Sequence, residues 1–303
     1  MGVLLDRLAE KTILVSDGAW GTMLQAAGLT AGECPEQWNL RHPERVKAVA
    51  TAYERAGSDM VLTNTFGGSE VKLKQSNLRD KLVEINRVGA ELSLAGVTNA
   101  VVAASVGSTG QFIQPLGLIS EDEMEGVFSR QIAALLAGGV RAICVESMTA
   151  VEEACCAVRA AKELDASVDV AATMTFDPVP DGFRTMMGVD VATAAQRLAA
   201  AGADIIGSNC GNGIEQMVDI AAEFRRHTDL PILVHANAGV PELVGGQTVF
   251  REAPQDMAAC VKDLLDAGAN IIGGCCGTTP EHIVAIRAEV DKALAARSSG
   301  AAM

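Results

Sequence analysis

Large rings are nearly absent from this chain. Two tryptophans, one tyrosine and seven phenylalanines make up 3% of 303 residues. The core must therefore be filled by Ala, Val, Ile, Leu and Met, which suits helices packed on parallel strands. Proline is sparse too, at nine residues, and charged residues reach only 20% against 49% hydrophobic, so disorder and collagen-like repeats are excluded. Basic charge is in deficit: 24 Lys and Arg against 38 Asp and Glu leave a net charge of −14. A nucleic-acid footprint needs a basic surface, so no nucleic-acid partner is expected. No run approaches the roughly 20 uninterrupted apolar residues of a membrane helix, and no membrane association is expected. Residues 1–11 carry acidic side chains and no apolar signal-peptide core, which points to a cytoplasmic protein. There is no P-loop, HExxH or GxSxG motif.

What the chain does have is alternation. Short β-branched runs fall at Ile13–Asp17, Asp59–Asn64, Val101–Ser105, Ala142–Glu146, Val168–Thr173, Asp204–Ser208, Ile232–His235 and Asn270–Gly274. Amphipathic stretches lie between and after them, at 43–57, 78–96, 121–139, 151–164, 190–201, 215–226, 254–267 and 280–296. Ser120 with Glu123, and Thr149 with Glu152, have capping-box spacing. Thr279 before Pro280 fits an N-cap and first helical position. Eight strand–helix units with right-handed crossovers predict a single (β/α)8 TIM barrel of the α/β class. The alternative, a doubly wound open sheet, would typically show GxGxxG after the first strand. Ser16-Asp-Gly-Ala-Trp-Gly-Thr22 does not match it. The barrel is expected over residues 1–297, followed by a disordered tail at 298–303.

Ala201-Gly-Ala-Asp-Ile-Ile-Gly-Ser-Asn-Cys-Gly211 recurs as Ala267-Gly-Ala-Asn-Ile-Ile-Gly-Gly-Cys-Cys-Gly277, with a fainter copy from Ala56 to Asn64. Reuse of one βα unit explains the repeat itself. Its information lies in where the cysteines fall. Cys210 ends the sixth strand unit and Cys275 and Cys276 end the eighth, on the face where barrels carry their active sites. Three thiolates with one position open is the pattern of a catalytic zinc. Adjacent cysteines on a regular strand would point to opposite faces. Gly273, Gly274 and Gly277 allow the irregular backbone that turns both sulfurs inward. Cys34, Cys144, Cys155, Cys156 and Cys260 read as small apolar fillers without a role.

Other strand exits are polar: Asp17, Asn64, Glu146 and Asn237. A carboxylate at the end of an apolar strand is costly to bury unpartnered, so Asp17 and Glu146 suit an ammonium group. The Gly18–Ala19 turn, with Gly21 and Thr22, offers backbone N–H groups for a carboxylate. An α-amino acid beside a metal would satisfy both. His282 lies near the proposed metal, where it reads equally as a support for the ligands or as a surface residue.

Asp17-Gly-Ala-Trp-Gly-Thr22, Thr63-Asn-Thr-Phe-Gly67, Asn209-Cys210, Asn237-Ala-Gly239 and Gly273-Gly-Cys-Cys-Gly-Thr-Thr-Pro-Glu-His282 together resemble the homocysteine S-methyltransferase family. The resemblance covers nearly the whole chain and is most similar to the homocysteine-binding module of cobalamin-dependent methionine synthase. It implies zinc on Cys210, Cys275 and Cys276, with the homocysteine thiolate as fourth ligand attacking a methyl group to give methionine. It further implies Asp17 and Glu146 on the substrate amino group, Gly18 and Ala19 at its carboxylate, and Asn64 and Asn237 among the substrate contacts. Gly211-Asn-Gly213 after the first ligand departs from the commonest family form. The family's folate and cobalamin modules are not in this sequence, and no DxHxxG segment for cobalamin is present. The donor is therefore expected to be methylcobalamin on a separate corrinoid protein, or a small sulfonium or betaine donor. Two alternatives remain: a subunit of a corrinoid-dependent demethylation system, or a non-catalytic barrel that binds a corrinoid protein around a structural zinc.

Overall fold

The computed structural model describes residues 2–245 and 247–300. All eight expected strands form: β1 Leu14–Val15, β2 Met60–Val61, β3 Val101–Gly107, β4 Ala142–Met148, β5 Asp169–Met174, β6 Ile205–Asn209, β7 Ile232–Ala236 and β8 Ala269–Gly274. They make one eight-stranded sheet in the order β1-β8-β7-β6-β5-β4-β3-β2, with every pairing in it parallel. Helices surround the sheet, so the fold is the expected (β/α)8 barrel.

The two ends of the sheet, β1 and β2, are too short to form a ladder of their own. One backbone bond and two side-chain carboxylates close that seam instead. The Asp59 N–H donates to Val15 O at 2.6 Å, the Asp59 carboxylate accepts Val15 N–H at 3.0 Å, and Asp17 Oδ2 accepts Leu62 N–H at 2.7 Å.

Small side chains line the lower interior, as the scarcity of aromatics requires. Ala103, Ala142, Cys144 and Ala171 pack there with Leu14, Met60, Leu62, Ile205, Leu233 and Ile271. A helix not anticipated from the sequence, Val3–Lys11, plugs the N-terminal end with Leu4 and Leu8. Its first turn lacks a side-chain cap of its own. Asp169 of β5 supplies one, accepting Leu4 N–H at 2.6 Å and Leu5 N–H at 3.1 Å.

Each expected helical stretch contains a helix, and the differences have local causes. The 254–267 stretch divides into Pro254–Ala259 and Val261–Asp266, so Cys260 sits at a junction rather than inside one helix. The capping box at Ser120 and Glu123 forms. The one expected at Thr149 and Glu152 does not: the helix Val151–Leu164 starts from Ala150 with no side-chain cap. Glu152 pairs with Arg197 on the next helix, a tertiary partner that outcompetes the local one. Two antiparallel strand pairs in loops after β5 and β7, Asp177–Val179 with Gly182–Arg184 and Glu242–Val244 with Gln247–Val249, carry no strong sequence signal. The last helix runs Pro280–Gly300, so the boundary expected at 297/298 falls inside it, and residues 301–303 lie outside the described residues.

Candidate metal and substrate site

Glycine and left-handed backbone shape the cysteine turns. Cys210 follows β6 at φ 61°, with Gly211 at φ 74°. Cys275 and Cys276 follow β8 and precede Gly277 at φ 81°, a conformation that costs a side-chain-bearing residue energy. Backbone bonds pin the turns: Cys210 N–H to His235 O at 3.1 Å, Cys275 N–H to Ala236 O at 2.6 Å, and Ala238 N–H to Cys276 O at 2.9 Å. The three sulfurs consequently lie within 4.8 Å of one another, with Cys210 Sγ and Cys276 Sγ 4.0 Å apart. S–H groups of Cys275 and Cys276 donating to Cys210 push its thiol down to about 3, and sharing that one charge pushes Cys276 up to about 12. Three thiols competing for one negative charge form the donor set a divalent soft cation would let ionise together.

Among the described residues, one other cluster has metal-ligand composition: Glu121, Glu125 and Cys156. Arg159 already serves it as the cation, donating to Glu125, to Glu121 at 3.0 Å and to Cys156 Sγ at 3.4 Å. The other four cysteines outside the mouth are accounted for as well. Cys144 and Cys155 are buried in apolar packing, Cys34 donates to Glu36 at 3.1 Å, and Cys260 packs at its helix junction.

Beside the thiols are two buried carboxylates without a cation. Burial pushes Asp17 up to about 7, opposed by hydrogen bonds from Leu62, Trp20 and Ser16. Its Oδ2 takes both Leu62 N–H at 2.7 Å and Trp20 Nε1–H at 2.8 Å, while Oδ1 has only Ser16 Oγ at 3.3 Å. Glu146 is likewise raised to about 7 by burial, and repulsion from Asp17 adds to the shift. Ser105 donates to its Oε1 and Asn209 Nδ2 approaches Oε2 at 3.4 Å. A β-bulge aims Glu146 inward: the β4–β5 register shifts between Val145 and Met148, where Ser147 has φ 57°.

The remaining expected residues divide. Asn237 is buried, its side chain donates to Cys210, and its Oδ1 has no partner. Asn64 spends its amide on Pro35 O at 2.8 Å and Asn39 Oδ1 at 2.9 Å, tying the loop after β2 to the helix behind it. The Ala19 N–H is already held by Thr278 Oγ1 at 3.0 Å, and Gly18 packs so closely that a Cβ there would lie 2.6 Å from the same oxygen. Thr278 also donates to Cys275 O at 2.7 Å, so one side chain joins the cysteine turn to the Asp17–Ala19 turn. The helix Trp20–Ala26 then begins with no side-chain cap on its N–H groups. His282 holds structure: Nδ1 accepts Thr279 N–H at 3.2 Å and Nε2 lies 3.0 Å from Glu252 O. Ser105, Ser147, Thr173 and Thr278 were not singled out from sequence. Their only signal is a hydroxyl at or next to a strand exit.

Comparison with known proteins follows this geometry. A family model described as Homocysteine S-methyltransferase matches residues 14–290. Methionine synthase of Mycobacterium tuberculosis is 28% identical over 305 residues, covering 95% of this chain and 25% of the relative. The chain thus spans about a quarter of the length of the mycobacterial methionine synthases it matches. Betaine–homocysteine S-methyltransferase 1 of Xenopus laevis is 29% identical over 317 residues, covering 95% of this chain and 75% of the relative. In fold, the metallated homocysteine methyltransferase MmuM from Escherichia coli superposes with a TM-score of 0.77 at 21% identity, covering 94% of this chain and 99% of that one. With its barrel, its strand-exit thiols and a family match over almost its whole length, this chain belongs to the homocysteine S-methyltransferase family.

Proposed function

We propose that this chain methylates the sulfur of homocysteine to give methionine, with zinc held by Cys210, Cys275 and Cys276. The observation that carries the reading is the meeting, at one barrel mouth, of three thiols within 4.8 Å and two buried carboxylates with no cation of their own. The donor set fits zinc, which takes three protein ligands at catalytic sites. Bound there, zinc would supply the substrate sulfur as a thiolate at neutral pH, where a free thiol of pKa about 8.5 is mostly protonated.

The chain's own groups do the positioning. Ionised Glu146 and Asp17 hold the substrate ammonium in a low-dielectric mouth, where that attraction is strong. The unpartnered Asn237 Oδ1 is a further acceptor for the same group. The substrate carboxylate is assigned to the Gly18–Ala19 turn, where it would take the Ala19 N–H over from Thr278, and to the N–H groups that open helix Trp20–Ala26. In the transfer, sulfur forms the new S–CH3 bond, the donor keeps the electrons of the broken bond, and the thiol proton is lost before attack. No general base is required once the thiolate is preformed.

Metal analysis tests the core of this reading. About one zinc per chain is expected, lost on Cys276→Ala together with methionine formation. A zinc-free protein with full activity would overturn it.

One observation bears on the donor. Loops that leave the C-terminal ends of β2, β3, β5 and β7 expose Phe66, Phe112, Leu118, Met186, Val240 and Leu243. Exposed apolar side chains on four such loops suit a docking protein more than a small solute. We therefore favour methylcobalamin on a separate corrinoid protein over sulfonium or betaine donors. Methionine yield from methylcobalamin, S-methylmethionine, S-adenosylmethionine and betaine discriminates them. No helix among the described residues is long and apolar enough to cross a membrane. The setting proposed is the cytoplasm, whose reducing poise suits eight free cysteines.

A further inference from the structure

Asn209 is the last residue of β6, fully buried, and immediately precedes Cys210. Its amide makes more contacts than any other side chain at the mouth. Oδ1 accepts Ser147 N–H at 2.7 Å and Thr173 Oγ1–H at 2.7 Å, using both lone pairs. Nδ2 donates to Ser147 Oγ at 2.8 Å, and it lies 3.4 Å from Glu146 Oε2 and 3.8 Å from Cys275 Sγ. The orientation is forced. A backbone N–H only donates, so the amide oxygen must face Ser147 and the NH2 must face the carboxylate and the sulfur.

Two strained or irregular features converge on this one side chain. Ser147 holds a left-handed φ of 57°, and the β4–β5 register breaks beside it. Such conformations persist only where the surroundings enforce them. Here the enforcing group is Asn209, which accepts the Ser147 N–H and donates to the Ser147 hydroxyl oxygen.

Resting on the proposed function, we infer that Asn209 is a positioning residue that couples the ammonium-binding carboxylate Glu146 to the metal-ligating sulfur of Cys275. It sets the spacing between the two ends of the bound amino acid, and its N–H withdraws charge from Cys275. Groups that hydrogen-bond to metal ligands orient them and adjust their donor strength. Asn209 touches neither the reacting sulfur nor the methyl group, and acts through Glu146 and Cys275. Thr173 belongs to the same device because it holds the far end of the amide.

The test uses the full chain loaded with Co2+, whose sulfur-to-metal charge-transfer band reports the thiolates directly. Asn209→Asp keeps size and shape but turns the donor into a charged acceptor facing Glu146 and Cys275. The expected result is a shifted band and homocysteine affinity, read from titration of that band, weakened on the order of 10-fold or more. Thr173→Val leaves Asn209 in place but frees its far end, and should move both readouts the same way by less. It also covers the case in which Asn209→Asp fails to fold. A merely structural role lowers thermal stability while leaving band energy and affinity per loaded site at wild-type values, and that result in both variants overturns the inference alone. Wild-type protein that takes up no Co2+ or gives no response to homocysteine overturns the proposed function and this inference with it.

Discussion

The two ends of this barrel bury carboxylates in opposite ways. At the N-terminal floor, Asp59 is matched: Lys11 Nζ lies at 2.5 Å, Arg287 Nη1 at 2.9 Å and the Val15 N–H at 3.0 Å. Asp169 likewise caps the plugging helix. At the mouth, Asp17 and Glu146 have hydroxyls, an indole, an amide and a backbone N–H but no cation, and both are pushed up to about 7 by burial. A buried charge that is paired supports the fold, while one left unpaired weakens the folded state until a ligand completes it. The floor is therefore read as stability and the mouth as function.

The largest effect should come from the thiols. Cys276 is exposed, so Cys276→Ala should abolish metal retention and methionine formation while shifting the melting temperature little. A large loss of stability with metal retained would erase the distinction between the two ends.

Next is Glu146→Gln, which keeps the size and the acceptor for Ser105 but removes the charge and the oxygen that Asn209 Nδ2 approaches. It should raise the homocysteine KM roughly 10- to 100-fold and leave the ligand-free protein equally or more stable at pH 8, because the unpaired charge is gone. Destabilisation at that pH would mean that Glu146 is structurally matched, like Asp59.

Asp59→Ala should show the reverse pattern. It removes one of the two carboxylates on Arg287, which is only 17% exposed and keeps Asp291 at 2.6 Å, and leaves the buried Val15 N–H without its acceptor, while Lys11 at 44% exposed regains water easily. The expected cost is roughly 2–4 kcal/mol of stability by chemical denaturation, with KM unchanged.

The pH dependence sharpens the contrast further. Both mouth carboxylates have folded pKa values raised above their unfolded ones, to about 7. Their stability contribution is thus fully present below pH about 4 and is lost as pH rises through about 7. Ammonium binding needs the ionised forms, so homocysteine affinity should fall as pH drops below about 7. The slope should be about tenfold per unit for each carboxylate that must ionise. Calorimetry in buffers of different ionisation enthalpy should detect, near pH 6.5, release of more than the one proton that the substrate thiol gives up, and release of that one proton alone would place the ammonium elsewhere. The smallest effect is expected at Glu123, whose carboxylate bonds only to Ser120 among the described residues and touches neither the thiols nor the two carboxylates: in Glu123→Ala, loss of the capping box costs about 1 kcal/mol and nothing in KM.

The barrel strands were legible because an apolar β run looks the same wherever it is packed. Elements that depend on distant partners were not. The Val3–Lys11 helix is defined by Asp169, more than 160 residues away, and the start of Val151–Leu164 by Arg197 rather than by Thr149. The three strand-exit thiols and the two acids could be singled out because strand exits are local features carrying costly residue types. Ser105, Ser147 and Thr173 could not, since an ordinary hydroxyl gains meaning only from what lies across the mouth.

By itself, then, the sequence determined the alternation of strands and helices, the scarcity of large rings that leaves a small-residue barrel interior, and the exits at which thiols and carboxylates emerge. Those follow from periodicity and composition, which act over a few neighbouring residues. Only the tertiary structure decided that the β1–β2 seam is closed by Asp59 and Asp17, that three sulfurs meet within 4.8 Å, and that Asn209 lies between Glu146 and Cys275. The physical reason is closure of the barrel. Bending eight strands into a ring brings exits separated by tens of residues onto one small face, and no local pattern records that distance.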